Sequence, residues 1–213
     1  MGRRTIIGGL LSVAALGGCG GSTHSASTTN SVATTAPASS SAPHPAIAHR
    51  LLTTSEMPTG VSAAGNPTVA TSIQQWLSGE QLAPGQTMSS ETARLKRIGF
   101  LAAARLNLNS AAGAGISIVE QLRSSAGARA ELANTLSMFK ASNNGGVGVV
   151  TFRVAGIPGA IGFGGPKTQP GSGVNVAFTD GDYFYLVGEE ANAPANRAAV
   201  IAAAQKLYHR VNS

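Results

Sequence analysis

The stretch GVNVAFTDGDYFYLVGEE, Gly173–Glu190, decides the fold because it predicts two paired β-strands. In both halves large apolar residues recur at every second position, which is typical of a half-buried strand. These residues are Val174, Val176 and Phe178 in the first half and Tyr183, Tyr185 and Val187 in the second. Asp180-Gly181 stands between the halves, and this dipeptide favours the positive φ angles of a tight hairpin turn. We therefore expect an antiparallel hairpin.

The preceding segments extend the antiparallel pattern. FLAAARLNLNS (100–110) ends in strict alternation, and the apolar ISIVEQL (116–122) follows it after a small-residue turn. These two segments predict a second hairpin. VGVVTFRVAGIPGAIGFGG (147–165) predicts a strand, a turn and a strand, because Gly and Pro interrupt two apolar runs.

Helical signals lie between and around these strands. SSETARLKRIGF (89–100) predicts a short helix that begins at Ser89 or Ser90 and ends at Gly99. Its basic run, Arg94, Lys96 and Arg97, predicts a solvated helix face that is able to touch anionic headgroups. Trp76 lies in a further segment of helical spacing and is expected to pack in the core or at its rim.

Two longer helices are expected. In the segment 124–141 the apolar positions recur at helical spacing and predict a core-facing stripe. That stripe is Leu132, Leu136 and Phe139, whereas Arg129, Glu131 and Lys140 are expected to face water. The last helix, 192–211, places Pro194 in its first turn and carries an apolar stripe of Val200, Ala204, Leu207 and Val211. This order of elements predicts an α+β fold, with an antiparallel sheet covered by helices on one face in a two-layer domain.

The amino terminus has the organisation of an export signal. Two arginines precede a short run of apolar and small residues, which is too short to span a membrane. The run ends in Leu16-Gly17-Gly18-Cys19, which resembles the lipobox of bacterial prolipoproteins. The resemblance implies that residues 1–18 are a signal peptide and that Cys19, the single cysteine, is acylated. An ordinary secretory cleavage near a cysteine is the alternative, and Arg3-Arg4 leaves both the general and the twin-arginine export routes open.

A tether and one domain complete the predicted organisation. Residues 19–48 combine the acylated Cys19 with a stretch rich in Ser, Thr, Ala and Pro, which lacks the apolar side chains needed to fold. Residues 49–213 are long enough for a single globular domain. The segments FRVAGIPGAIGF and GVNVAFTDGDYFYLVG are similar to those of actinobacterial, mycobacterial-type envelope lipoproteins of unassigned function, over about the last 120 residues. The resemblance implies an extracytoplasmic, membrane-anchored protein.

The net charge and the distribution of the basic residues limit the kinds of partner that the sequence predicts. Without Arg3 and Arg4, the 15 basic residues become 13 against nine acidic ones, a formal charge of +4. The basic residues are scattered and are not interleaved with aromatic ones, so we expect no nucleic-acid partner. The expected partners are the membrane, through the lipid anchor, and a lipid or an envelope protein.

Residues able to carry catalysis are few. The spacing of the histidines predicts no metal site, and we expect no cofactor. The sequence offers few side chains that could serve catalysis in an envelope hydrolase, namely His209 and the pair Glu189 and Glu190. The glycine-rich stretch 159–168 fails as a phosphate loop because Pro166 precedes the lysine. We interpret Gly164, Gly165 and Lys167 as the rim of a binding loop.

Three functions remain open from the sequence. The first is a non-catalytic domain that binds a hydrophobic ligand or an envelope partner. The second is an interaction or sensor module without a ligand cavity, and the third is an envelope hydrolase. A cavity favours the first, and an exposed apolar patch favours the second. A perturbed histidine beside a carboxylate favours the third.

Overall fold

The structure is a computed structural model that describes residues 45–79, 82, 85–111, 113–142, 148–165, 173–191 and 195–213. The predicted signal peptide, Cys19 and most of the predicted tether lie outside the described residues, as do Lys167 and Pro194. Predictions that concern them stay predictions.

Five helices and eight strands are described. The helices are α1 (Pro45–Ala48), α2 (Ile73–Ser78), α3 (Met88–Ile98), α4 (Ser125–Ser142) and α5 (Arg197–Val211). The strands are β1 (Val61–Ala63), β2 (Thr68–Ala70), β3 (Phe100–Ser110), β4 (Gly113–Leu122), β5 (Val150–Arg153), β6 (Ile161–Gly164), β7 (Val174–Asp180) and β8 (Tyr183–Ala191).

All described strands belong to one antiparallel sheet. Its order is β1-β3-β4-β8-β7-β6-β5, and β2 pairs with β3 beside β1. The predicted hairpins are confirmed. In the decisive one Asp180 pairs with Tyr183, and Gly181 has a φ of 56°, which a residue without a Cβ adopts without strain.

One face of the sheet carries α1 and α5. The alternating residues Val176, Phe178 and Tyr185 lie on this face and belong to one buried cluster with Leu207 of α5. Phe178 stacks on Tyr185 with their ring centroids 4.7 Å apart, and Tyr208 of α5 meets Phe178 edge-on at 5.8 Å. The predicted apolar stripe of the last helix therefore forms this half of the core.

The opposite face carries α2, α3 and α4. Phe163 of β6 lies on this face, and Phe139 of α4 contacts its ring edge-on at 4.9 Å. The prediction of an α+β fold with an antiparallel sheet packed by helices is confirmed, but helices cover both faces rather than one. The reason lies in β4 and β7, where Ile118 and Ala177 make the second face apolar as well.

Helix α3 begins earlier than predicted. Its N-cap is Thr87 rather than Ser89 or Ser90, and the Thr87 side chain accepts a hydrogen bond from the backbone N–H of Ser90. The Ser90 hydroxyl accepts the Thr87 N–H in return, which completes a capping box. The predicted end is confirmed, since Gly99 adopts the left-handed conformation with a φ of 79°.

The compact unit extends upstream of the predicted boundary at His49. Helix α1 lies within the segment predicted as tether, and its Ile47 is buried in the core. The guanidinium of Arg210, near the end of α5, donates to the Glu56 carboxylate at 2.6 Å and to the carbonyl oxygen of Leu51 at 2.6 Å. These contacts hold the first described segment against the last helix.

The glycine in the first turn of α4 gives a test of this packing. A Cβ on Gly127 would lie 2.3 Å from the carbonyl oxygen of Ile98, a backbone atom that cannot rotate away. Helix propensity alone favours Gly127→Ala by about 1 kcal/mol, but overpacking costs about 1–3 kcal/mol. We expect Gly127→Ala to lower the free energy of unfolding by up to about 2 kcal/mol in urea titrations. Gly148→Ala, where nothing lies within 4 Å, is the control, and a stabilised Gly127→Ala would contradict this packing.

Candidate functional site

A groove of about 420 Å³ runs between α4 and β6. It is lined by Arg129, Leu132, Ala133, Leu136, Ser137, Lys140 and Ile161. The groove is open to solvent, and its volume falls in the range of about 300–1,000 Å³ that is usual for ligand sites.

The α4 wall follows from helical geometry. Its lining positions are spaced by three and four residues, so they form a single stripe along the helix. Leu132 and Leu136 are half-buried in the middle, and Arg129 and Lys140 are exposed at the two ends. Lys140 follows Arg129 by eleven positions, which corresponds to about 16 Å along the helix axis. The wall is therefore an apolar strip with a positive charge at each end.

The β6 wall is held by its pairing with β5. Ile161 lines the groove, and its cross-strand partner is Arg153 of β5. Because cross-strand partners lie on the same face of a sheet, Arg153 adds a third cation on this side. On the other face the ring of Phe152 packs on Gly162, where a Cβ would come within 2.0 Å of the ring. This close contact fixes the two strands against each other.

The carboxylates of α3 and α4 point away from the groove. Arg94 of α3 donates to the Glu91 carboxylate at 2.8 and 2.9 Å, and it also binds Glu131 of α4. Burial alone would lower the pKa of Arg94, but these two carboxylates raise it above its ordinary value. The expected solvent exposure of Arg94 and Glu131 is therefore wrong, whereas Lys96 is exposed as expected. The guanidinium and the two carboxylates are buried together because both carboxylates pair with the same cation.

A further carboxyl group lies beneath this ion pair. Glu120 of β4 is 5% exposed, and its Oε2 atom makes no hydrogen bond in the part of the chain that the structure describes. Burial raises the pKa of Glu120 well above that of an ordinary glutamate, and the nearby Glu131 raises it further. Loss of its proton would leave a buried negative charge, so the neutral form is favoured.

The opposite side of the sheet leaves little free space. A depression between α5 and the ends of β3, β4 and β8 has room for only about 20 Å³ and is lined by residues such as Leu108, Val187 and Val200. That volume accommodates about one water molecule. The α5 side is therefore a packed core, and the roomier groove is the better candidate site.

The predicted binding-loop rim lies at the end of β6. Gly164 is buried and paired with Val174, and the backbone N–H of Gly165 donates to the carbonyl oxygen of Gly173 at 3.2 Å. Neither glycine lines the groove, although Ile161, three residues before Gly164, does. Lys167 lies outside the described residues. The helical spacing of Leu132 and Leu136 predicts core residues, so the groove that they line was not predicted from the sequence.

The residues considered for catalysis are dispersed. His209 is exposed on α5, where its ring meets that of Tyr208 at 5.7 Å. Glu189 and Glu190 lie near the end of β8, with Glu190 exposed. Among the described residues, no three His, Cys, Asp or Glu side chains are grouped to hold a metal ion. Trp76 is buried as expected, and it stacks on Phe100 at 6.5 Å.

The fold and the groove define an α+β domain with a solvent-open, cation-flanked apolar site. Its fold is similar to that in the crystal structure of the extracellular domain of PknH from Mycobacterium tuberculosis, with 16% identity and a TM-score of 0.49. The similarity covers 78% of this chain and 94% of that one. No family model matches the sequence, and no curated protein matches it. None of the described helices is long and apolar enough to cross a membrane.

Proposed function

We propose that this protein is a non-catalytic, extracytoplasmic binding domain that holds a hydrophobic ligand in the groove between α4 and β6. The observation that carries the proposal is that the half-buried apolar side chains of Leu132, Leu136 and Ile161 line a groove of about 420 Å³. Apolar side chains that line a concave site gain free energy when a ligand removes them from water, at about 25 cal/mol per Å².

Anchoring at Cys19 is the second part of the proposal. Acylation there, followed by the tether of residues 20–44, holds the domain near the outer face of the membrane. The domain thus samples lipids and envelope proteins close to the bilayer. An envelope protein that inserts an apolar side chain into the same groove is the alternative occupant.

The groove is tested by native mass spectrometry of the protein after export from a bacterial envelope host. We expect an adduct at one-to-one stoichiometry on the unaltered protein and its loss in Leu136→Asp, because a charge in the groove makes apolar contact costly. The matched control is Leu101→Asp, since Leu101 is 41% exposed on β3 and does not line the groove. An adduct that survives Leu136→Asp, or a bare protein mass throughout, would contradict ligand binding in this groove.

The anchor is tested by cell fractionation. We expect Cys19→Ala to move the protein from the membrane fraction to the medium, because acylation requires the thiol and stable anchoring takes two acyl chains. Ser25→Ala, in the predicted tether, retains the thiol and is expected to stay with the membrane. Membrane association that persists in Cys19→Ala would contradict the lipid anchor.

A further inference from the structure

The charges around the groove are of one sign. The groove has an exposed Arg129 at one end of α4 and an exposed Lys140 near the other, and Arg153 is exposed on β5 beside Ile161. Within the part of the chain that the structure describes, the residues that line the groove include no Asp or Glu. The structure therefore combines an apolar strip with a positively charged border.

The absence of acidic groups from this border has a structural cause. Glu131 is the carboxylate that α4 contributes to the described residues, and it is buried on the side of the helix that faces α3. Glu91 of α3 is buried in the same ion pair with Arg94. The burial of both carboxylates leaves Arg129 and Lys140 as the outward charges of α4. Their field is thus not cancelled by acidic neighbours on the same helix.

We propose that the ligand of this groove is an anionic amphiphile, a single acyl chain that ends in a carboxylate or phosphate group. This inference rests on the proposed function, to which it adds the charge of the ligand. The chain lies along Leu132 and Leu136, and the anionic head binds one of the two cations at the ends of this strip, Arg129 or Lys140. An uncharged chain of equal length would make the same apolar contacts but would leave the cations unpaired.

Charge complementarity selects this occupant over a neutral lipid. A carboxylate close to Arg129 or Lys140 accepts charge-assisted hydrogen bonds, which are shorter and stronger than neutral ones. An exposed ion pair contributes at most a few-fold in affinity, and one head group pairs with only one of these two cations because they lie at opposite ends of the strip. The expected preference for the anion falls with ionic strength, because exposed charges are screened by salt.

The test compares two probes with the same chain, dodecanoate and dodecanol, in calorimetric titrations of the full-length protein at low and high salt. We expect dodecanoate to bind a few-fold more tightly at low salt, with the difference shrinking as salt is added. The variant Arg129→Gln/Lys140→Gln is expected to bind both probes equally. Lys96→Gln/Arg97→Gln removes the same charge from exposed positions of α3 and is expected to keep the preference.

Each other outcome contradicts a different statement. If both probes bind the unaltered protein with equal affinity, the inferred negative charge of the ligand is wrong, whereas the proposed binding of an apolar chain in the groove is retained. If neither probe binds, the proposed function fails together with the inference. If the α3 variant loses the preference as fully as the α4 variant does, the anion responds to net charge and not to this groove. Retention of the preference in Arg129→Gln/Lys140→Gln also overturns the inference.

Discussion

Replacement of Arg94 by alanine is expected to lower the free energy of unfolding by about 3–5 kcal/mol, because it leaves buried carboxylates without a counter-ion. Glu91 and Glu131 are 7% and 4% exposed, and both depend on this one guanidinium for ion pairing. Urea unfolding at pH 7 measures the effect.

The matched control lies three residues along the same helix. Arg97 belongs to the same basic run of the sequence but is exposed, so Arg97→Ala is expected to change the stability by no more than about 0.5 kcal/mol. Equal effects of the two substitutions would show that Arg94 is not the centre of a buried ion pair. That result would also remove the reason why the outward charges of α4 are all positive.

The second large effect concerns pH. Since the folded state holds the proton of Glu120 at pH values where an unfolded glutamate has released it, the group stabilises the fold fully below its unfolded pKa of about 4.5. This contribution is lost as the pH rises through the raised pKa of the folded state. We expect Glu120→Gln, which keeps the shape of the neutral acid, to match the unaltered protein at pH 4. As the pH rises from 5 to 7 the variant should become progressively more stable than the unaltered protein.

The comparison requires urea titrations of both proteins across this pH range. Glu189→Gln, near the end of β8, serves as the control for removal of a carboxylate, and Glu120→Gln is expected to diverge from it in stability as the pH rises. A difference between Glu120→Gln and the unaltered protein that does not grow with pH would contradict a protonated, buried Glu120.

Local patterns predict most of the sheet. The alternation in 173–190 and the dipeptide Asp180-Gly181 are sufficient for the central hairpin, because strand pairing across a short turn depends on adjacent residues. The same holds for Gly99 at the end of α3, where a left-handed residue is needed. The second helix layer is harder to predict, because small residues such as Ala177 satisfy a buried face without producing an apolar pattern.

The candidate site depends on contacts that no single segment contains. The spacing of Leu132 and Leu136 predicts core residues. In the structure the same two residues, together with Ile161 of β6, line a groove that is open to solvent. Likewise Glu131 reads as a solvated residue until Arg94, 37 residues earlier in the chain, is placed against it. Such tertiary pairing overrides the polarity of a residue, because the partner determines whether a charge can be buried.

The most direct test of ligand binding in the groove is hydrogen exchange of the protein with and without dodecanoate, read by mass spectrometry of peptides. The proposed site predicts slower exchange in peptides that span 129–140 and 150–164, and no change in peptides from α5. Protection confined to α5 and the ends of β3 and β8, or no protection at saturating dodecanoate, would contradict a ligand site between α4 and β6.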